Sequence, residues 1–421
     1  MDELGADAVA VLPAARRATL ARCALVSGFD EAMYEAVLRV PESPRLVDLL
    51  RARTFEPQPG VPGDYQVALS LREAAWRSWW PEGADQSGVP QDLREFAAGV
   101  ARYCQDTRRP VEALRALAIA DEEEAAGWFD RLYRQRDADL DLAGCADLLD
   151  VLYELSRPEH APPLGPALVP LRNDRTRYLN ARCHWHGAQL ASSRYLSRPG
   201  VEAPLLDLLR AEPATRALRL HGSSGMGKSK TLHWLIAHRC VPEPRRVPCA
   251  LIDLGAVDPI NATRHPWLVL LEIAGQLNVQ MEGAPFQELL RQHGVARELL
   301  KPTQEDLARS GAVAVDSAAA PVEAEDVVFR FFSALVEDTS RTPVVVAVDT
   351  FEDAVLKGTD PADIVRLLTD LHDASARVRL ILSGRLTGEE ERCLRCASAC
   401  PARSWRTWGC RSSAPPRPAS T

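Results

Sequence analysis

The sequence predicts an α/β domain, a parallel sheet with flanking helices, preceded by a mainly α-helical domain. Three observations lead there. A glycine-rich run, Gly222-Ser223-Ser224-Gly225-Met226-Gly227-Lys228-Ser229, lies between a strand-like and a helix-like segment. A β-branched run from Val344 to Val348 ends in an acid, Asp349. Upstream of about residue 170, apolar residues recur mostly at helical spacing instead of alternating.

In chain order, residues 1–90 read as a helical module. Leu46 to Leu50 ends a helix. The Pro/Gly-rich stretch from Phe55 to Val67 then suggests a hairpin, and Ser70 begins another helix. Residues 91–156 give antiparallel-helix patterns, among them Val111 to Glu122, with no clean repeat period. Residues 157–190 form a linker and a lead-in helix, the linker marked by Pro158, Pro162, Pro163, Pro166 and Pro170.

The α/β domain spans 191–391. Arg216 to His221 alternates like a short strand, and Lys230 to His238 carries apolar residues at helical spacing. Between them, the glycine run fits G-x-x-x-x-G-K-[ST] at every fixed position. Its glycines Gly222, Gly225 and Gly227 permit φ > 0 and close approach of backbone to a ligand. Successive N–H groups of Ser223 to Lys230 can then form an anion nest at a helix N-terminus. Lys228 is placed to reach the β- and γ-phosphates, and the Ser229 hydroxyl to ligate Mg²⁺.

Ala250 to Leu254 reads as the next strand, Pro266 to Leu277 as an amphipathic helix, and 310–321 as a surface loop. A helix over 325–336 leads into Val344 to Val348. That strand is apolar on both faces, as in a parallel sheet. An acid at its carboxyl end, Asp349, can hold Mg²⁺ through water, although a helix N-cap would use the same residue. Val378 to Ser383 forms a further strand. Arg385 just beyond it is placed to sense a γ-phosphate, with an ordinary surface arginine as the alternative.

Residues 194–386 resemble the STAND class of P-loop NTPases, the signal-transduction ATPases within the AAA-like group. The pieces that match are Arg194 to Glu202, the glycine loop, the strand ending Asp349-Thr350-Phe351-Glu352, and Leu380 to Arg385. The resemblance implies a Walker A loop, a Walker B aspartate at Asp349, and ATP or ADP with Mg²⁺ as the bound species. It also implies a slow nucleotide-dependent signalling switch with Mg²⁺-dependent hydrolysis. Many related ATPases carry a glutamate directly after the Walker B aspartate, where this chain has Thr350. Glu352 is the expected water-positioning carboxylate. The N-terminal half is similar to winged-helix and helical-repeat modules of the same class, which implies a protein partner for that half. An ATP-dependent transcriptional regulator and a non-hydrolysing scaffold remain as alternatives.

Composition narrows the classes further. A formal net charge of −8 argues against a broadly basic nucleic-acid binder. The acidic start and the lack of a long apolar run predict a cytoplasmic protein with no membrane span. Six lone cysteines before residue 250 read as small buried apolar groups, and Cys183-His184-Trp185-His186 has no second ligand pair for zinc. Residues 392–421 hold six arginines, four cysteines and no acids. They read as a disordered tail or, since Arg403 to Pro415 in a shifted frame resembles an ordinary soluble segment, as out-of-frame translation. By the resemblance, the chain is C-terminally truncated before a helical lid.

Overall fold

The computed structural model describes residues 9–80, 88–156, 164–258, 261–262, 265–297, 324–337, 342–351, 362–385 and 405–409. They fall into two compact units, within Met1–Leu179 and Asn180–Thr421.

The first unit is mainly helical. Helix α1 (Ala14–Cys23) is followed by a short turn at Glu31–Met33, capped by the Asp30 carboxylate on the Met33 N–H at 2.7 Å. Helix α2 (Leu46–Arg51) leads into the antiparallel pair β1 (Phe55–Pro57) and β2 (Tyr65–Val67), then α3 (Leu69–Arg77). The expected hairpin is therefore present. Phe29 adds an isolated antiparallel bridge to β2 through reciprocal backbone bonds with Tyr65 at 2.9 and 2.8 Å. Phe29, Tyr34 and Phe55 pack as an aromatic triad beneath it.

Helices α4 (Gln91–Asp106), α5 (Pro110–Ala120), α6 (Glu122–Ala138) and α7 (Leu142–Leu155) follow, with α5 packed against the other three. Their starts obey capping chemistry. Pro110 opens α5, and Asp121 and Asp141 accept the N–H groups of Glu124 and Gly144 at 3.0 and 2.9 Å. Arg109, at the α4–α5 turn, ties this bundle to the hairpin. It bonds Asp30 at 2.7 Å and Asp64 at 3.2 Å. Helix α8 (Leu168–His184) begins inside the stretch expected to be linker. Pro170 falls in its first turn, where a missing N–H removes no helical bond. Cys23, Cys104, Cys145, Cys240 and Cys249 are buried as expected, whereas Cys183 is exposed.

In the second unit, α9 (His186–Ala191) and α10 (Pro199–Leu208) precede a five-stranded sheet. Its strands are β3 (Ala217–His221), β4 (Cys249–Asp253), β5 (Val344–Asp349), β6 (Val378–Gly384) and β7 (Trp405–Gly409). The order is β4-β5-β6-β3-β7, with every neighbouring pair parallel. Strands β5 and β6 are buried throughout, as their unbroken apolar runs require. Helices α11 (Lys228–Leu235), α12 (Trp267–Asn278), α13 (Gln287–Arg297), α14 (Ala324–Glu337) and α15 (Ala362–Ala374) complete the unit.

The edge strand β4 is closed by side chains. Gln276 on α12 and Gln280 just past its end each exchange two bonds with the backbone of Leu251 and Cys249 respectively, at 2.7 to 3.1 Å. A paired edge is thereby achieved without a further strand.

Two expectations need correction. Residues 405–409 are a strand paired with β3, where a tail without regular structure was expected. Trp405, Thr407 and Trp408 are good strand formers, and the basic, proline-containing surroundings obscured them. Helices α13 and α15 were also not anticipated. The expected loop over 310–321 lies outside the described residues, as does the remainder of the tail.

Candidate functional site

Strands β3, β4, β5 and β6 deliver their carboxyl ends to one edge of the sheet, and the sequence-predicted residues that the structure describes lie along it. Strand β3 ends at His221, the glycine run follows, and α11 starts at Lys228. Gly225 and Gly227 have φ of 76° and 77°, in the left-handed region that favours glycine. Gly222 does not have a positive φ, which corrects the expectation for that residue. Gly227 serves as N-cap of α11, and its carbonyl accepts from both the N–H and the Oγ1 of buried Thr231, at 3.0 and 2.9 Å.

Lys228 is buried, and its ammonium crosses the loop. Nζ donates to the carbonyls of Gly222 at 2.8 Å and Ser223 at 3.2 Å. The loop thus curls around this amine. Ser223, Ser224 and Ser229 are exposed, and Met226 and Lys230 are partly buried.

Arg385, just past β6, donates through Nη2 to Ser224 Oγ at 2.8 Å. The structure therefore brings Arg385 and the glycine loop together, although they are far apart in sequence. Strand β6 lies beside β3, with Leu220 opposite Ser383 and His221 opposite Gly384. This adjacency, invisible in the sequence, is what puts Arg385 within reach.

Asp349 ends β5, on the far side of β6, about 10 Å from β3 at the usual strand spacing. It is 5% exposed, and among the described residues its carboxylate has no side-chain partner. A carboxylate oxygen is the ligand type that a divalent ion takes. Thr350 follows with φ of 53°. Glu352 lies outside the described residues.

Sequence reasoning missed one contact of the glycine loop. Arg198, at the start of α10, donates through Nη1 to the Met226 carbonyl. Its backbone N–H in turn bonds the Glu202 carboxylate, which also accepts from the Tyr195 hydroxyl at 3.1 Å. Tyr195 stacks on Trp234 of α11 with ring centroids 4.9 Å apart, and burial pushes its hydroxyl up to about 12. The segment Arg194 to Glu202 therefore braces the loop and its helix together. The signal was an arginine just ahead of a proline-started helix, too common a pattern to single out.

Comparison with protein-family models and with curated proteins finds no match to this sequence. Among the described residues, no helix is long and apolar enough to cross a membrane.

Proposed function

We propose that the second unit binds ATP or ADP with Mg²⁺ at the glycine loop and works as a nucleotide-dependent signalling switch, with slow hydrolysis. The observation that carries this reading is the strand–loop–helix at 217–235. Two glycines there are in left-handed backbone, Lys228 lies across the loop, and Arg385 arrives from the neighbouring strand. In this reading, Ser223 to Lys230 cradle phosphate and Lys228 neutralises its charge. Arg385 reports the γ-phosphate through its hold on Ser224. Ser229 and Asp349 would hold the Mg²⁺, which when bound neutralises charge on the phosphates. The helical first unit is the proposed arm for a protein partner.

The test is calorimetric titration with Mg²⁺-ATP and Mg²⁺-ADP, with Lys228→Ala as the control. Micromolar binding that the substitution weakens at least about tenfold supports the reading, since a tenfold change is about 1.4 kcal/mol, within the worth of one charge-assisted contact. Equal binding by both proteins, or none by the parent, overturns it. Thr350, standing where related ATPases carry glutamate, favours a second reading, a non-hydrolysing scaffold. Phosphate release on the same samples separates the two.

A further inference from the structure

One acid at the carboxyl edge of the sheet has no task in the reading above. Asp253 ends β4 and stands opposite Asp349 in the parallel ladder. It is exposed, while the rest of β4 is buried or partly so. Its partner across the strand gap is Thr350, not Asp349. The Thr350 hydroxyl donates to Asp253 Oδ1, and the Gly255 N–H donates to Thr350 Oγ1 at 2.7 Å and to Asp253 Oδ1 at 2.9 Å. Oδ1 thus accepts two bonds, and among the described residues Oδ2 has no partner.

Thr350 carries the strain in this arrangement. A φ of 53° is unfavourable for a β-branched residue. Such strain persists where the surroundings over-determine it, and it clusters at functional sites. Here it turns the Thr350 side chain toward β4, so that position 350 does not present a carboxylate but fixes one on the next strand.

We propose that Asp253 is the water-orienting carboxylate of this site, its rotamer set by Thr350 and Gly255. The proposal rests on the nucleotide reading above. Asp253 is one strand from Asp349, at a spacing of about 4.8 Å, and on the same carboxyl edge as Arg385. Oδ2 accepts a hydrogen bond from the attacking water. The water oxygen forms the new bond to the γ-phosphorus, and the bond from that phosphorus to the β–γ bridging oxygen breaks. Its electron pair leaves on ADP, and the water proton held by Asp253 passes to the released phosphate. No further reactant is needed.

The test compares Asp253→Asn and Asp253→Glu with the parent full chain. Asparagine keeps an Oδ1 acceptor for Thr350 and Gly255 but removes the charge. The expected result is a fall in kcat of at least about tenfold, since such groups contribute on the order of 10²–10⁴. The calorimetric Kd for Mg²⁺-ATP should stay within about twofold and the thermal midpoint should hold, with Asp253→Glu restoring part of the turnover. Parent-like turnover in Asp253→Asn overturns the proposal, as does a loss of ATP binding in that variant. A parent that binds ATP but releases no phosphate overturns it too. A parent whose binding is absent, or indifferent to Lys228→Ala, brings down the nucleotide reading itself, which is a separate outcome.

Discussion

Gly225 and Gly227 separate two costs that a glycine loop usually mixes. Both are in left-handed backbone, at 76° and 77°. A Cβ added at Gly225 would meet open space, whereas one at Gly227 would lie 2.6 Å from Nη2 of Arg198. Left-handed backbone costs an L-residue about 1–2 kcal/mol, and alanine recovers about 0.4–1 kcal/mol by restricting the unfolded chain. Gly225→Ala should therefore lose about 1 kcal/mol net. Gly227→Ala must also push the Arg198 guanidinium aside. That end of the side chain can swing, so the added cost is its charged bond to the Met226 carbonyl, about 1–2 kcal/mol at this half-buried position. The total is about 2–3 kcal/mol, or a midpoint lowered by roughly 4–12 °C for a unit of this size. The decisive comparison is a double-mutant cycle by chemical denaturation with Arg198→Ala. In that background, Gly227→Ala should cost no more than Gly225→Ala. A surplus that survives the loss of Arg198, or no surplus at all, would refute the assignment of Arg198 as the brace of this loop.

Two further outcomes follow from buried polar groups. Arg379 is 2% exposed and has its guanidinium on the chain leaving α10, with Leu208 O and Ala211 O both at 3.1 Å, and burial lowers its pKa. Arg379→Met keeps the stem but strands the buried Leu208 carbonyl, and should cost about 1–3 kcal/mol in urea denaturation; parent-like stability would contradict the capping role. His238 faces Ser192 Oγ at 3.1 Å, and burial, then the charges of Arg239 and Arg182, lower its pKa from 6.5. The folded protein then binds this proton less readily than the unfolded chain, so its contribution to stability is intact above pH 6.5 and is lost as pH falls from there through the lowered folded value. The thermal midpoint should drop across that window, and His238→Gln should flatten the drop; an unchanged slope would remove His238 as its source.

Much of the second unit was legible because its signals are local. The glycine loop needs particular residues at particular spacings, and the runs at 344–348 and 378–383 are too apolar and β-branched to be much else. Their boundaries held to within about a residue. Order in the sheet was not legible, because backbone pairing leaves no residue signature when strands are buried on both faces. Nothing in Leu380 to Ser383 says that this strand lies between β3 and β5. For the same reason Arg385 could be named but its bond to Ser224 could not, and Asp253 passed as the end of an ordinary strand. In the first unit, turn chemistry at Pro57 to Gly63 announced the hairpin, whereas Pro170 misled, since a proline in a first helical turn and one in a linker look alike without the fold.

Parallel pairing explains why residues so distant in sequence reach one edge of the sheet. In an antiparallel sheet, alternate strands would send their carboxyl ends to opposite edges. Here every neighbouring pair is parallel, so His221, Asp253, Asp349 and Gly384 all finish at the same edge. Placing β6 between β3 and β5 sets the spacing along that edge, a loop and an arginine on one side, two acids on the other. The gap of about 10 Å between β3 and β5 is wide for direct side-chain contact, and it is where the proposed Mg²⁺-nucleotide would have to fit. The strained backbone at Thr350 costs local stability, and its hydroxyl ties the end of β5 to Asp253 at the end of β4, which is the contact the proposed role of Asp253 depends on.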